Sequence, residues 1–292
     1  MHQNPVDTSN QSAAWVRESV ARTYTDASGP IDGLQIVGYD GEDVAGLPNG
    51  ASREFLGCGN PLAFAEVDSG QTVLDLGCGA GIDLILAAER VGEAGRVIGV
   101  DMTDAMIRRA RRNVANAGLR NVEVHHALIE RLPVPTRSVD WVISNCVISL
   151  SPQKERVFAE VFRVLRPGGR MLISDIVVDE KLAAVLRRMI RITPSIAGAR
   201  TEAEYLGAMS KAGLIDQGVR SRFVYEPEHL LGMFGGDAAD DDLAAACPVT
   251  SATRRTRAVK RRALALGARL VAGRVWSAKF YALKPPSISD GI

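Results

Sequence analysis

The chain has few of the features that mark secreted, membrane-spanning or nucleic-acid-binding proteins. Among its 292 residues are four cysteines, Cys58, Cys78, Cys146 and Cys247, too few for a disulfide scaffold and none at the Cys-x-x-Cys spacing of zinc sites. No apolar run is long enough to span a bilayer, and residues 1–14 do not resemble a signal peptide. A net charge of +1 gives no general attraction to nucleic acid or anionic lipid. We therefore expect a cytoplasmic protein with a small-molecule substrate, no nucleic-acid or membrane partner, and an undetermined oligomeric state.

What the chain does have is a regular alternation of short apolar runs and amphipathic stretches from Gln71 onward. The apolar runs predict strands at Thr72–Leu76, Val97–Val100, Val122–His125, Trp141–Ser144, Met171–Ser174 and Val275–Leu283. Helices are predicted at Asp83–Val91, Asp104–Ala117, Lys154–Leu165, Leu182–Ile192 and Glu202–Ala212, the last with Thr201 and Glu204 as a capping box. Strands that alternate with helices predict an α/β fold with a mainly parallel sheet and helices on both faces.

Three regions are predicted along the chain. Residues 1–56 read as an N-terminal lid, 57–180 as a Rossmann-like cofactor-binding domain, and 181–292 as a substrate-covering region with C-terminal strands. The lid contains a predicted helix at Ser12–Thr23, and one of its faces carries Trp15, Val16, Ser19, Val20 and Tyr24. Residues Asp26–Gly50 follow it as an irregular segment.

A basic stretch between Arg254 and Arg274 follows an acidic run at 237–242. Alanine, leucine and valine are interleaved with its basic residues, which favours a solvated helix face that packs on one side. Binding of nucleic acid or anionic lipid is the alternative.

The glycine-rich segment from Val73 to Gly81 reads Val-Leu-Asp-Leu-Gly-Cys-Gly-Ala-Gly, a strand that ends in glycines just before a helix. Glycines at this point let the backbone turn tightly and let a ligand approach closely. A second strand ends at Asp101, 26 residues after Asp75, where a carboxylate can accept both hydrogens of a ribose diol. Dinucleotide-dependent enzymes place an acid similarly, so these two features alone leave that class open.

Two later segments separate the two classes. Leu128–Pro133 is followed by Ser138-Val-Asp140, and Val164-Leu-Arg-Pro-Gly-Gly169 precedes a strand. Together with the glycine loop they resemble the motifs of class I S-adenosylmethionine-dependent methyltransferases. The resemblance implies a Rossmann-like fold with a seven-stranded sheet, transfer of a methyl group, and S-adenosylmethionine as the cofactor.

The same resemblance implies which residues bind the cofactor. They are Asp75, Gly77, Cys78, Gly79, Asp101, Met102, Ile129, Glu130 and Asn145. In such enzymes the main chain of the glycine loop would hold the methionine end and Asp101 the ribose. Met102 would cover one face of the adenine, with Ile129 and Glu130 at its edge. The alternatives are a core position for Met102 and a surface position for Glu130.

Longer segments are similar to one family in particular, the arsenite methyltransferases. These segments are Gly57–Pro61, Gly99–Thr103, Ser144–Leu150, Pro152–Arg156 and Leu165–Gly169. The match runs from roughly Gly57 to Ala212. That family holds trivalent arsenic, a soft and thiophilic centre, with cysteine thiolates. Cys58 and Cys146 stand at two of the family's cysteine positions, while the third position is Ser195 and no cysteine precedes Gly57.

The serine at position 195 separates two hypotheses about the methyl acceptor. A hydroxyl is a hard ligand that stays protonated near neutral pH, so the sequence favours a relative repurposed to methylate an organic, secondary metabolite at carbon, nitrogen or oxygen. A genuine arsenite methyltransferase that uses Cys58 and Cys146, with Cys247 as a third thiol, is the alternative. A noncatalytic binder of cofactor or arsenic is a third hypothesis, and another reaction of the sulfonium is also open.

The predicted substrate-site residues are therefore Cys146, Cys58 and Ser195, and no resident metal is expected. Cys78 is expected to be a small residue that fits the loop. His125, His126, His229 and Tyr225 are weak candidates for a catalytic base.

Overall fold

The computed structural model describes residues 8–25, 38–48, 51–186, 198–234 and 266–287. Its strands are β1 Thr72–Leu76, β2 Arg96–Asp101, β3 Val122–His126, β4 Val139–Asn145, β5 Leu165–Val178, β6 Ile215–Val224 and β7 Val275–Leu283. They form one sheet in the order β3-β2-β1-β4-β5-β7-β6. The first five strands pair in parallel, and β7 runs antiparallel between β5 and β6. The predicted Rossmann-like fold with a mainly parallel, seven-stranded sheet is confirmed.

Helices cover both faces of this sheet. They are α1 Thr8–Thr25, α2 Gly41–Ala45, α3 Ile82–Val91, α4 Asp104–Asn116, α5 Lys154–Val164, α6 Glu180–Leu186, α7 Glu202–Lys211 and α8 Pro227–Phe234. Short 3-10 helices lie at Ala51–Glu54, Leu62–Phe64 and Ile148–Leu150. The predicted capping box starts α7, since the Thr201 hydroxyl accepts from the Glu204 N–H at 3.2 Å. None of the described helices is both long and apolar enough to cross a membrane.

The core lies on the two sides of the sheet, as central parallel strands require. Alternate residues of β1 face opposite sides: Leu74 and Leu76 pack in the cluster that contains α5 and α7, while Val73 packs in the cluster that contains α3 and α4. The register pairs Leu76 with Val100 on one side and with Ser144 on the other. The carboxyl ends of β1, β2 and β4 therefore meet at one edge of the sheet, where open α/β folds bind ligands.

Helix α1 turns most of its predicted face inward, with one exception. Val20 is buried, and Val16, Ser19 and Tyr24 are half-buried, so four of the five predicted residues turn inward together with Ala13. Trp15 is 50% exposed, so its place in the predicted stripe is wrong. Arg17 accounts for the difference, because its guanidinium pairs with Glu130 at 3.2 Å and holds a charged residue on the inward face. A sequence stripe drawn from apolar residues alone misses such a contact.

Two segments differ from their predicted local structure. Residues 41–45, within the predicted irregular segment, form α2, whose start is fixed by a capping box between Asp40 and Asp43. Strand β6 was not among the strands predicted individually; its residues are only exposed or half-buried, so its apolar alternation is weak. Strands β6 and β7 come from the region 181–292 but lie in the shared sheet. The division into three regions stays a prediction.

Ser195, Cys247 and the basic residues up to 265 lie outside the described residues. Within the remainder of the basic stretch, Arg274 pairs with Asp179 at 2.6 Å.

Candidate functional site

A cleft opens at the carboxyl ends of β1, β2 and β4, beneath α1. It encloses about 940 Å³ of space, part of it open to solvent. Its lining includes all nine predicted cofactor-binding residues together with Cys146: Asp75, Gly77, Cys78, Gly79, Asp101, Met102, Ile129, Glu130, Asn145 and Cys146. The structure thus brings together residues that are spread over about 70 positions of the sequence. Their binding of the cofactor stays a prediction.

The glycine loop and Asp101 form one half of this cleft. Gly77 and Gly79 both have positive φ, at 66° and 51°. A Cβ atom added to Gly79 would meet nothing within 4 Å, so the loop leaves a cradle that a side chain would occupy. Asp101 accepts from the N–H of Gly79 at 3.0 Å and from the N–H of Thr103 at 2.8 Å. Each carboxylate oxygen keeps a further lone pair, so the half-cleft fits a ribose diol beside the loop.

Two residues of the predicted cofactor set have contacts that sequence alone does not give. The Cys78 sulfur lies in the core, where a Cβ atom on Gly99 would approach it to 3.0 Å. Burial raises the pKa of this thiol well above its usual range, as expected of a small packing residue. Glu130 is only 6% exposed, and its carboxylate accepts from the Ser151 hydroxyl at 2.8 Å and from Arg17. The alternative of a surface position for Glu130 is wrong.

Asn145 holds a loop onto the end of β4. Its side-chain oxygen accepts from the N–H groups of Cys58 and Gly59 at 2.9 and 3.2 Å. Its amide nitrogen lies 2.6 Å from the Gly59 carbonyl oxygen, 3.0 Å from the Tyr39 hydroxyl and 3.1 Å from an Asp83 oxygen. The Tyr39 hydroxyl in turn donates to Asp83 at 2.6 Å. Asn145 therefore fixes where the main chain of Cys58 stands.

Sequence reasoning missed the roles of Tyr39 and Asp83. Burial raises the pKa of Asp83 to about 6, against the lowering effect of the Tyr39 and Asn145 hydrogen bonds. For Asp83 the sequence did contain a signal, because this acid lies in the first turn of α3, directly after the glycine loop.

The thiols of Cys58 and Cys146 form the other half of the site, at the border of the cleft: Cys146 lines the cleft, whereas Cys58 is not among its lining residues. Both sulfur atoms and a carboxylate oxygen of Asp175 lie within 4.8 Å of one another, and all three residues are buried. Hydrogen bonding to the Cys58 thiol, with burial, raises the pKa of Cys146 well above its usual range. Cys146 is therefore a protonated thiol near neutral pH.

The backbone of Cys146 is itself unusual. Its φ of 60° lies in the left-handed region, which costs a residue with a side chain about 1–3 kcal/mol. A hydrogen bond from its N–H to the Ser174 carbonyl oxygen, at 2.8 Å, holds this turn against β5. Such strain is typical of positions where a side chain must be aimed.

Asp175 is a fully buried acid near the carboxyl end of β5. One carboxylate oxygen accepts from the Ser149 N–H and from the Tyr205 hydroxyl, each at 2.8 Å, and the other accepts from the Ile176 N–H at 2.8 Å. Burial raises the pKa of Asp175, and these donors oppose the rise. Sequence reasoning missed this residue, although a charged residue inside an apolar run was the signal.

Tyrosines lie around the thiols, and the histidines lie elsewhere. Tyr24 of α1 lines the cleft, and burial, followed by the charges of nearby cysteine and aspartate groups, raises its pKa. Tyr225 is buried, with its hydroxyl 3.5 Å from the Cys58 carbonyl oxygen. His125, His126 and His229 are absent from the lining of the cleft, so as base candidates they have no support in the described part of the chain.

Comparisons with known proteins agree with this arrangement. A family model described as a methyltransferase domain matches residues 67–213. An arsenite methyltransferase from Halobacterium salinarum is 50% identical over 182 residues, which are 62% of this chain and 46% of that protein. An arsenite methyltransferase from Homo sapiens is 36% identical over 142 residues, 46% of this chain and 37% of that protein. The chain spans less than half of the length of these curated relatives.

A solved structure gives the same result for the fold. The arsenic(III) S-adenosylmethionine methyltransferase from Chlamydomonas reinhardtii is similar with a TM-score of 0.62 at 29% identity, covering 89% of this chain and 76% of that chain. The predicted class of enzyme and its cofactor, S-adenosylmethionine, are confirmed at the level of the family. The chain belongs to the methyltransferase domain family, and arsenite methyltransferases are among its relatives.

Proposed function

We propose that the protein transfers a methyl group from S-adenosylmethionine to trivalent arsenic held by the thiols of Cys58 and Cys146. The observation that carries this proposal is the approach of the two buried sulfur atoms to within 4.8 Å of each other at the cleft. One thiol comes from a loop before β1 and the other from the end of β4. A soft trivalent centre prefers sulfur ligands, so such a pair suits arsenic better than a hard metal ion.

The cofactor would lie between the glycine loop and Asp101. When bound, S-adenosylmethionine supplies an electrophilic methyl group on a sulfonium. Gly79 leaves the space for it, and Asp101 has free lone pairs for the ribose hydroxyls. Val20 and Tyr24 of α1 line the same cleft and help to exclude water from it.

Capture of arsenite by the two thiols balances in atoms and charge. Two As–S bonds form, two As–O bonds break, and each thiol proton leaves with a hydroxide as water. One oxygen or a small external thiol completes the three ligands of arsenic. The lone pair stays on arsenic and is the nucleophile toward the methyl group, and proximity within one cleft supplies much of the rate.

An organic acceptor is the second candidate. The apolar part of the cleft lining favours it, since it includes Val20, Phe55, Leu56, Met106 and Val147. A serine at position 195, where the family resemblance implies a third cysteine, also agrees with it. The proximity of Cys58 and Cys146 gives arsenic the stronger support, because an organic acceptor has no need of two adjacent thiols.

The decisive experiment is anaerobic incubation of the purified protein with methyl-labelled S-adenosylmethionine, arsenite and a small thiol, with arsenic species identified by mass spectrometry. We expect methylated arsenic from the wild type and none from Cys146→Ser. Calorimetric titration with S-adenosylhomocysteine on both proteins serves as the control, because the variant should keep its cofactor affinity.

Absence of methylated arsenic from a wild-type protein that binds the cofactor would contradict the arsenic proposal. The organic acceptor would then be the better candidate.

A further inference from the structure

We propose that Asp175 is the third group of the arsenic site, a base that relays the thiol protons while trivalent arsenic binds. The inference rests on the proposed function and deepens it. It assigns a chemical role to a residue that lies beside the thiols but belongs to neither the cofactor half of the cleft nor the pair of cysteines.

The position of Asp175 is fixed by the sheet. Strands β4 and β5 pair so that Asn145 stands opposite Ser174, and the N–H of Cys146 donates to the Ser174 carbonyl oxygen at 2.8 Å. Asp175 is the next residue of β5, and one of its carboxylate oxygens lies within 4.8 Å of both the Cys58 and the Cys146 sulfur. The carboxylate is therefore held at the thiols by rigid elements and not by a loop.

The carboxylate keeps some capacity to accept a proton. Its three donors, from Ser149, Ile176 and Tyr205, use three of roughly four lone-pair positions of a carboxylate. Among the described residues, no lysine or arginine nitrogen lies within ion-pair distance of Asp175. A fully buried acid that accepts only from neutral donors and lies beside two thiols has the surroundings of a base.

Titratable groups approach Asp175 from each element packed against it. They are Cys146 after β4, Cys58 in its loop, Lys154 on α5, Tyr205 on α7, Tyr24 on α1 and Tyr225 before α8. Lys154 donates its N–H groups to the carbonyl oxygens of Ser149 and Ser151, and burial lowers its pKa to about 8. The tyrosines have raised pKa values, so near neutral pH they are neutral groups.

A base is needed here because a protonated thiol is a poor nucleophile. As the Cys146 sulfur bonds to arsenic, its proton passes to the Asp175 carboxylate and an As–O bond breaks. The proton then passes to the departing hydroxide, which leaves as water and regenerates the carboxylate for Cys58. Each cycle forms one As–S bond, breaks one As–O bond and releases one water, with no change of oxidation state.

The test is the rate of arsenite binding to the full chain as a function of pH, followed by stopped-flow absorption of the arsenic–sulfur bonds without S-adenosylmethionine. We expect Asp175→Asn to bind about 100-fold more slowly at neutral pH, the lower range for loss of a general base. The difference in binding rate between Asp175→Asn and the wild type should shrink at high pH, where hydroxide can remove the thiol protons. Asp140→Asn is the matched control, since Asp140 pairs with Arg166 at the start of β4, away from the cleft.

Tyr205→Phe is a second variant that tests the same role of Asp175 if Asp175→Asn does not fold. Loss of the tyrosine hydroxyl removes one donor, which should raise the pKa of Asp175 and move the midpoint of the rate profile to higher pH. A wild type that binds no arsenite would overturn the proposed function itself. A wild type that binds, with unchanged rate and pH profile in a folded Asp175→Asn or in Tyr205→Phe, would overturn only the role of Asp175.

Discussion

The cofactor half and the thiol half of the cleft are built in different ways. The cofactor half consists of a contiguous loop, Gly77 to Gly81, and an acid held by main-chain N–H groups. The thiol half depends on the side chains of Cys58, Cys146 and Asp175, which come from three separate segments. Main-chain geometry is encoded locally by glycines, whereas a meeting of side chains depends on the whole sheet. Under the proposed function, the first half would serve many acceptors and the second would set which one is used.

The largest expected effect is a double dissociation between the two halves. Asp101→Asn removes a charged acceptor, so cofactor affinity should fall by about 100-fold, as expected for loss of one or two hydrogen bonds to a charged group. Arsenite affinity should stay within a few-fold. Cys58→Ser should lose arsenite affinity and keep its cofactor affinity within a few-fold. Calorimetric titrations of each variant with S-adenosylhomocysteine and with arsenite measure both; a joint loss of both ligands in either variant would show that the halves are not separable.

Two glycines sharpen the comparison within the cofactor half. A Cβ atom at Gly77 would lie 2.3 Å from the Val147 side chain, while one at Gly79 would project into the open cleft. Gly77→Ala should therefore destabilise the fold by more than the about 1–2 kcal/mol that a left-handed alanine costs, and Gly79→Ala by about that amount. Cofactor affinity should be lost mainly in Gly79→Ala. Equal losses of melting temperature in the two variants would contradict this distinction.

Asn145 links the two halves, and its replacement gives a smaller effect. Asn145→Ala frees the N–H groups of Cys58 and Gly59, so the thiol on this loop is no longer held beside Cys146. We expect about a tenfold loss of arsenite affinity, equivalent to about 1.4 kcal/mol, with a smaller change in cofactor affinity. Calorimetric titration of Asn145→Ala with arsenite and with S-adenosylhomocysteine measures both losses. A larger loss of cofactor affinity than of arsenite affinity would contradict this prediction.

The smallest effect is a pH dependence of stability. The pKa of Asp83 is raised to about 6, so the folded protein holds this proton more tightly than the unfolded chain. Unfolding then releases a proton between pH 4 and 6, and stability falls as the pH rises through that window. The buried acids Asp75, Asp101 and Asp175 act in the same direction, since burial raises the pKa of each. Chemical denaturation at several pH values measures the free energy of unfolding. Its decrease with rising pH should be smaller in Asp83→Asn than in the wild type, but still present.

The cofactor half and the thiol half also differ in how much of each could be predicted from the sequence. Glycines after a strand and an acid ending the next strand are local patterns, so the sequence itself pointed to the glycine loop and Asp101. The other members of the predicted cofactor set came from the family resemblance. The proximity of Cys58 and Cys146 could be anticipated only through the family resemblance. Asp175 and Tyr39 escaped prediction, because what gives each of them a role is a partner more than 25 positions away. The inward position of Arg17 on α1 was missed for the same reason, since its partner Glu130 is more than 100 positions away.

The place of β7 in the sheet has a consequence for biosynthesis. This strand pairs with β5 from Arg170 to Val178, so its partners include both Ser174 and Asp175. On the ribosome, β1 to β5 emerge first and can begin to assemble. Until residues 275–283 follow, β5 is an edge strand with unpaired main-chain groups along the thiol site. A nascent chain can thus complete its glycine loop well before it completes its thiol site, and the two halves of the cleft mature at different times.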